Sequence, residues 1–181
     1  MRSNWQLFQS AIDQQSCEAM IEKFKQIPPI DGTTFNGNPD HRKSVVRWVS
    51  GQWELQQLLL RYVNIANATT FNVDIQQEMN EMQFGEYDAS YGGKYDWHHD
   101  VDWENEKNYD RKLSIVVQLS NPDDYEGGNF EFSEVQSPHD LLWERQGSIL
   151  IFPSYLVHRV TPVTKGIRYS LVSWVRGPRW K

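Results

Sequence analysis

With 181 residues, 39% of them hydrophobic, and eight each of Trp, Tyr and Phe, the chain has the length and texture of one compact, aromatic-rich domain. A formal charge of −6 speaks against a nucleic-acid partner, because phosphates are held by basic surface, and the few basic residues around Arg42, Lys43 and Arg47 are too sparse to reverse this. The single cysteine, Cys17, excludes an internal disulfide, "MRSNWQLFQS" at the start has no apolar leader core, and no stretch reaches transmembrane length, so the expectation is a soluble cytoplasmic protein with no membrane partner.

The first predicted element is a helix in which Cys17, Met20, Ile21 and Phe24 recur at helical spacing. Asp13 or Ser16 is suited to cap it, and Pro28 and Pro29 stop it. The segment "DGTTFNGNPD" that follows reads as a surface loop able to cover a site. "SVVRWV", Ser44 to Val49, suits a strand. Trp53, Leu55, Leu58, Leu59, Tyr62, Val63 and Ala66 then share one face at a 3.6-residue period, which predicts a second helix needing a sheet or helix to cover its stripe.

From Phe71 onward the texture changes to short apolar or alternating runs. Strands are predicted at "NEMQFGEYD", "KYDWHHD", "KLSIVVQLS", "NFEFSEV", "DLLWE", "GSILIFP", "LVHRVTPV" and "RYSLVSWV", parted by "YGG", "NPDDYEGG", "RQG", "FPSY" and "TKG". Two helices followed by about eight antiparallel strands predict a mainly β, single domain over 1–181. Residues 1–70 form its helical support, and 71–176 form a double-stranded β-helix, or jelly roll, with the helices packed on one sheet.

Chemistry concentrates in "YDWHHDVDW", Tyr95 to Trp103, where two histidines and three carboxylates crowd together. Such groups compete unless something binds them jointly, and a divalent ion is the commonest agent. Strand alternation sends His98 and Asp100 to one face and His99 to the other, with Asp102 on the Asp100 face if the strand continues. The remaining histidines are His41 in a loop, His139 at a turn, and His158, which leads from a proline-marked corner into an apolar strand. His158 is therefore the third ligand of choice. Two imidazoles and a carboxylate suit high-spin iron(II), although zinc hydrolases use the same set. Ten residues beyond His158, Arg168 and Ser170 share a face of an otherwise apolar strand, an arrangement suited to gripping a carboxylate.

Taken together, "YDWHHD", "GGNFEF", "GSILIFPSYLVHRVTPV" and "GIRYSLVSWV" resemble the 2-oxoglutarate and iron(II)-dependent dioxygenases, in their prolyl 4-hydroxylase-like branch. The resemblance spans roughly residues 78–174. It implies that His98, Asp100 and His158 hold iron as the catalytic centre and that Arg168, helped by Ser170, binds the distal carboxylate of 2-oxoglutarate. Tyr87 sits near the family's tyrosine for that carboxylate, with Tyr91 and Tyr95 as alternatives. "EGG", Glu126 to Gly128, resembles the family's Gly-Gly before an outward-turning strand. One departure is the second histidine, His99, inside the ligand motif; Asp102 is left to accept from a ligand imidazole or to touch substrate.

The implied reaction consumes 2-oxoglutarate and O2, with ascorbate as an accessory, hydroxylates an unactivated C–H bond, and releases succinate and CO2. A peptidyl substrate, prolyl in the first instance, is the expectation, and a free amino acid or small metabolite is the alternative. Trp103 and Tyr109 in "VDWENEKNYDRK" offer flat surfaces for a lid, together with "DGTTFNGNPD". An AlkB-type nucleic-acid demethylase is disfavoured by the acidic balance and by the lack of a second arginine at that family's spacing. A cupin-like binding module or a zinc hydrolase has no use for the Arg168-x-Ser170 clamp.

Overall fold

The computed structural model describes residues 3–31, 38, 40–138 and 140–181. In chain order the elements are β1 (Gln6–Phe8), α1 (Gln14–Phe24), β2 (Ile30–Asp31), β3 (Arg42–Lys43), β4 (Val45–Val49), α2 (Trp53–Ala66), β5 (Met82–Asp88) and β6 (Lys94–His98). Then follow β7 (Tyr109–Gln118), β8 (Tyr125–Gly127), β9 (Phe130–Phe132), α3 (Asp140–Trp143), β10 (Ile149–Pro153), β11 (His158–Val160) and β12 (Val163–Pro178). The strands form a larger sheet in the order β1-β10-β7-β12-β5-β4-β2, with β8 also on β12, and a smaller one in the order β3-β6-β11-β9. Every strand pair is antiparallel, as a jelly roll requires.

Both long helices cover the outer face of the larger sheet. Asp13 caps α1 by accepting the Ser16 N–H at 2.9 Å, so the first of the two candidate caps is the one used. Cys17 and Phe24 of α1, with Leu59 and Val63 of α2, are buried against Phe84, Leu113, Ile115, Val117, Ile151 and Leu171 of the sheet. Burying one such Leu, Ile or Phe is worth about 2–3 kcal/mol, so this layer holds the sheet rigid behind the site. The Cys17 thiol, sunk in it, has its pKa pushed up to about 12 by burial and then by Asp13 and Glu18. Alternation along β12 sends Tyr169, Leu171 and Val175 toward the helices. The other parity, Arg168, Ser170, Val172 and Trp174, faces the space between the sheets, where Val172 packs on a second core built around Tyr87, Val116, Phe130, Phe132 and Phe152.

Several expectations need correction. "DLLWE" is not a strand: Asp140–Trp143 forms one turn of helix. Leu is a good helix former, the segment has no β-branched residue, and five residues are too few to distinguish the two periods. The N-terminal region is not only helical support, since β1 pairs with β10 and β4 pairs with β5. Strand β8 lies in "NPDDYEGG", which reads as a break. Finally, β6 ends at His98, so Asp102 does not lie on a strand face with Asp100. Instead the Asp102 carboxylate accepts the Glu104 N–H at 3.2 Å and organises a turn. Most of "DGTTFNGNPD" lies outside the described residues.

Candidate active site

The smaller sheet presents two imidazoles side by side, because β11 pairs with β6 so that His158 lies directly opposite His98. Asp100 arrives by a different route from strand alternation. It lies two residues beyond the end of β6, and its N–H donates to the Ser154 carbonyl at 2.8 Å, tying it to the corner after β10. The carboxylate oxygens then lie 3.8 Å from His98 Nε2 and 3.7 Å from His158 Nε2. Ligand atoms of all three residues fall within 4.8 Å of one another, and this is the metal-capable group among the described residues.

Surrounding bonds orient these atoms. His98 Nδ1 donates to the Asp96 carbonyl at 2.7 Å and His158 Nδ1 to the Leu156 carbonyl at 2.9 Å, which leaves both Nε2 lone pairs aimed at the shared centre. Ser114 Oγ donates to Asp100 Oδ2 at 2.6 Å and lies 2.9 Å from Ser154 Oγ. Phe130, Phe132 and Phe152 enclose the His158 ring, and Tyr95 stacks on His98 with ring centroids 3.5 Å apart and planes 10° from parallel. Burial, and next the neighbouring His158, push the His98 pKa well down, so its imidazole is neutral and able to ligate. For Asp100, burial opposes ionisation, but His158, His98, Arg111 and the Ser114 hydroxyl together outweigh it and bring the pKa to about 2. A neutral imidazole at His98 and an ionised carboxylate at Asp100 are forms in which these groups ligate a divalent ion.

Arg168 is placed on the larger sheet, opposite Tyr87 in the pairing of β12 with β5. It is 1% exposed, and its Nε, Nη1 and Nη2 all lack a hydrogen-bond partner among the described residues. Around it stand Tyr87, its ring centre 5.7 Å from the guanidinium carbon, and the buried Tyr125, whose hydroxyl accepts from Gln118 Nε2 at 2.9 Å. Gln118 Oε1 is likewise buried without a donor. Two glycines keep this pocket open. A Cβ at Gly85 would lie 3.3 Å from the Tyr87 ring and 3.6 Å from Ser170 Oγ, and one at Gly128, where φ is +65°, would lie 2.9 Å from Arg168 Cδ. A buried cation with three idle donors fits a carboxylate, and the residues present therefore match both an iron(II) ion and the far end of 2-oxoglutarate.

The other sequence candidates are spread more widely. Tyr95 is on the metal side, stacked on His98, while the Tyr91 hydroxyl donates to the Glu86 carbonyl at 3.2 Å. His99 is exposed, with its ring 5.9 Å from that of Trp103, which is itself half exposed. Tyr109 is not in the loop but opens β7 opposite Pro178, with Arg176 4.5 Å from its ring centre. Sequence reading passed over Ser114, Ser154, Gln118 and Tyr125, and Arg42 entered it only as part of a sparse basic patch. For two of them a signal existed: Ser114 and Gln118 are the polar residues of the site-facing parity in "LSIVVQ".

Fold and site together define a jelly-roll protein with two histidines and a carboxylate grouped beside a buried, unpaired arginine. The family model described as the 2OG-Fe(II) oxygenase superfamily matches residues 82–176, and the chain belongs to that superfamily. Among curated proteins, the chain is 42% identical over 66 residues to a PKHD-type hydroxylase of Synechococcus sp. (strain JA-2-3B'a(2-13)), a match covering 35% of this chain and 28% of that one. It is 36% identical over 87 residues to the PKHD-type hydroxylase Syncc9902_2001 of Synechococcus sp. (strain CC9902), covering 48% of this chain and 38% of that one. The chain thus matches roughly a third of the length of these relatives. Among solved structures, viral collagen prolyl hydroxylase from Paramecium Bursaria Chlorella virus-1, in its 2OG complex, superposes with a TM-score of 0.73 at 17% identity, covering 97% of each chain. A Pseudomonas putida prolyl-4-hydroxylase does so with a TM-score of 0.73 at 18% identity, covering 97% of this chain and 94% of that one. No helix among the described residues is long and apolar enough to cross a membrane.

Proposed function

We propose that the protein is a 2-oxoglutarate- and iron(II)-dependent dioxygenase that hydroxylates an unactivated C–H bond, on a prolyl or other amino-acid residue of a peptide or protein, as a single domain over 1–181. The observation that carries this reading is Arg168, a fully buried guanidinium with three unpaired nitrogens in the same inter-sheet space as the triad. A metal-storage module or a zinc hydrolase gains nothing from such a group, whereas a dicarboxylate cosubstrate needs it. His98, Asp100 and His158 would hold the iron, and Arg168 would receive the distal carboxylate, with Ser170 and the Tyr87 hydroxyl as further candidates to contact it. When bound, iron and 2-oxoglutarate supply the oxidising power, O2 being consumed as the cosubstrate is decarboxylated to succinate.

The chain's own residues then have separate tasks. Ser114 and Ser154 hold Asp100 in one orientation, the two main-chain carbonyls fix the imidazole tautomers, and the Phe130, Phe132 and Phe152 rings keep water from the back of His158. The peptidyl assignment is supported by the names of the relatives, a PKHD-type hydroxylase and prolyl hydroxylases, one of them solved with a hypoxia inducible factor peptide fragment. The acidic balance of the chain supports a partner other than nucleic acid, and the free, buried Cys17 supports a cytoplasmic setting.

The test is anaerobic addition of 2-oxoglutarate to iron(II)-loaded protein, watching for the weak visible metal-to-ligand charge-transfer band. We expect a band that His158→Ala abolishes and Arg168→Ala weakens at least tenfold in apparent affinity. Folded, iron-loaded protein that gives no band overturns the proposal.

A further inference from the structure

A second arginine stands beside the His98–Asp100–His158 group rather than behind it. Arg42 opens the smaller sheet opposite Tyr95, and its guanidinium carbon lies 4.4 Å above the Tyr95 ring, which in turn stacks on His98. It is 8% exposed. Nε donates to Ser44 Oγ at 2.8 Å and Nη2 to Gln83 Oε1 at 2.7 Å, while Nη1 makes no hydrogen bond among the described residues. No described carboxylate pairs with it. The nearby acids are engaged elsewhere: Asp40 with Lys43, Asp96 with Lys94, and Glu81 with Arg111 and Arg176. A buried guanidinium held by neutral partners alone is unusual, because its charge is normally offset by a carboxylate.

Across the same opening the unmet groups are again donors. Trp174 lies opposite Ser114 in the pairing of β12 with β7, so its indole neighbours the hydroxyl that holds Asp100, and its Nε1–H is buried without an acceptor. Gln83, which fixes Arg42, is one register step away on β5, opposite Val172 of β12 and Trp48 of β4. Trp48 is 43% exposed with its ring 6.5 Å from Trp174, which marks the outer end of this row. One cation with a free Nη1 and one buried N–H without an acceptor thus flank the His98–Asp100–His158 group on the side away from Arg168. Such a pair of donors is complementary to oxygen acceptors that carry a negative charge.

We infer that Arg42 determines specificity by receiving a carboxylate of the substrate, with the Trp174 indole N–H as the second donor, so that the molecule hydroxylated is a carboxylate-bearing one. The α-carboxylate of a free amino acid and the carboxylate of a peptide supply the same chemistry. This inference rests on the dioxygenase reading and narrows its substrate.

The experiment uses the full chain loaded with Mn(II) in place of iron and saturated with 2-oxoglutarate, so that Arg168 is not a landing place. Paramagnetic relaxation of probe protons by the bound Mn(II) is recorded for free L-proline, for N-acetyl-Gly-Pro-Gly as the acid, and for the same peptide as its amide. We expect at least one acid to be relaxed about fivefold more than the amide. Arg42→Gln should remove that excess and Arg42→Lys should keep part of it. The stronger of the two acids identifies the source of the carboxylate. Equal relaxation of acids and amide by the wild-type protein overturns the inference without recourse to any variant, as does an acid excess that survives in folded Arg42→Gln. Failure of the dioxygenase reading is seen separately, as the absence of the 2-oxoglutarate charge-transfer band in the iron-loaded protein.

Discussion

Burying a guanidinium costs several kcal/mol unless its donors find acceptors. On the proposed function, Arg168 is therefore a residue whose stability term and functional term oppose each other. Arg168→Met keeps the volume and removes the unmet charge. In the absence of ligands we expect its melting temperature to equal or exceed that of wild type, by about 2–6 °C for a gain of about 1–1.5 kcal/mol in a chain of this size. With Mn(II) and 2-oxoglutarate together the order should reverse, since only the wild type gains from the cosubstrate. A variant that melts well below wild type without ligands would mean that the guanidinium already makes stabilising bonds in the free protein. At this scale the sequence was most informative where chemistry is rare. His98 and Asp100 stand out because histidines and carboxylates crowd together there, and His158 and Arg168 because imidazole and guanidinium have little reason to lie among apolar strand residues. Ser114 and Tyr125 were harder to single out, because hydroxyls are common and their importance comes from partners 14 residues away or on another strand. Arg42 was legible only as part of a weak basic patch, since nothing local reveals that Tyr95 and Gln83 enclose it.

Among the elements, the site-bearing strands are held together just outside the pocket by one carboxylate. Glu81, immediately before β5, accepts from Arg111 of β7 at 2.9 Å and from Arg176 of β12 at 2.6 Å, so a single side chain spans three adjacent strands. Burial alone would raise its pKa, but the two arginines outweigh this and hold it below the ordinary carboxylate value of 4.5. A depressed folded-state pKa contributes stability that is complete above the unfolded value and is lost as pH falls through the folded one. Glu81→Gln should accordingly cost about 1–3 kcal/mol near neutral pH. The gap between variant and wild type, followed by urea unfolding, should shrink steadily below about pH 4.5. A gap that does not change between pH 7 and pH 3 would assign the loss to packing rather than charge. This clamp could not be read from the chain, since Glu81 is 30 residues from Arg111 and 95 from Arg176. The long amphipathic helix α2 and the alternating strand β12 were legible, because their periodicity is carried by many residues at once. Three-residue strands such as β1 and β8 carry no period at all, and pairing alone makes them strands.

At the scale of the molecule, a count of turn-separated strands was enough to indicate a jelly roll, but not to assign strands to sheets. β12 lies between β5 and β7, and β11 between β6 and β9, and no local pattern encodes such non-consecutive neighbours. That division has a thermodynamic consequence. The two histidines belong to the smaller sheet, whereas Asp100 is tethered to Ser114 of β7 and to Ser154 just beyond β10, both in the larger sheet, and Arg168 is in the larger sheet outright. On the proposed function, a metal ion held by all three ligands would fasten the sheets at one point, and a cosubstrate bound by Arg168 would fasten them at a second. The second link would form at lower entropic cost once the first had ordered the gap. Each ligand alone, at about 100 times its dissociation constant, would add about 2.7 kcal/mol, or roughly 5–10 °C. We expect Mn(II) and 2-oxoglutarate together to raise the melting temperature by more than the sum of the separate shifts. Amide hydrogen exchange should slow in β6, β11 and residues 99–102 while remaining unchanged in α2, which packs on the opposite face of the larger sheet. Strictly additive shifts, or protection spread evenly over α2 as well, would show that the ligands stabilise the fold without joining its two sheets.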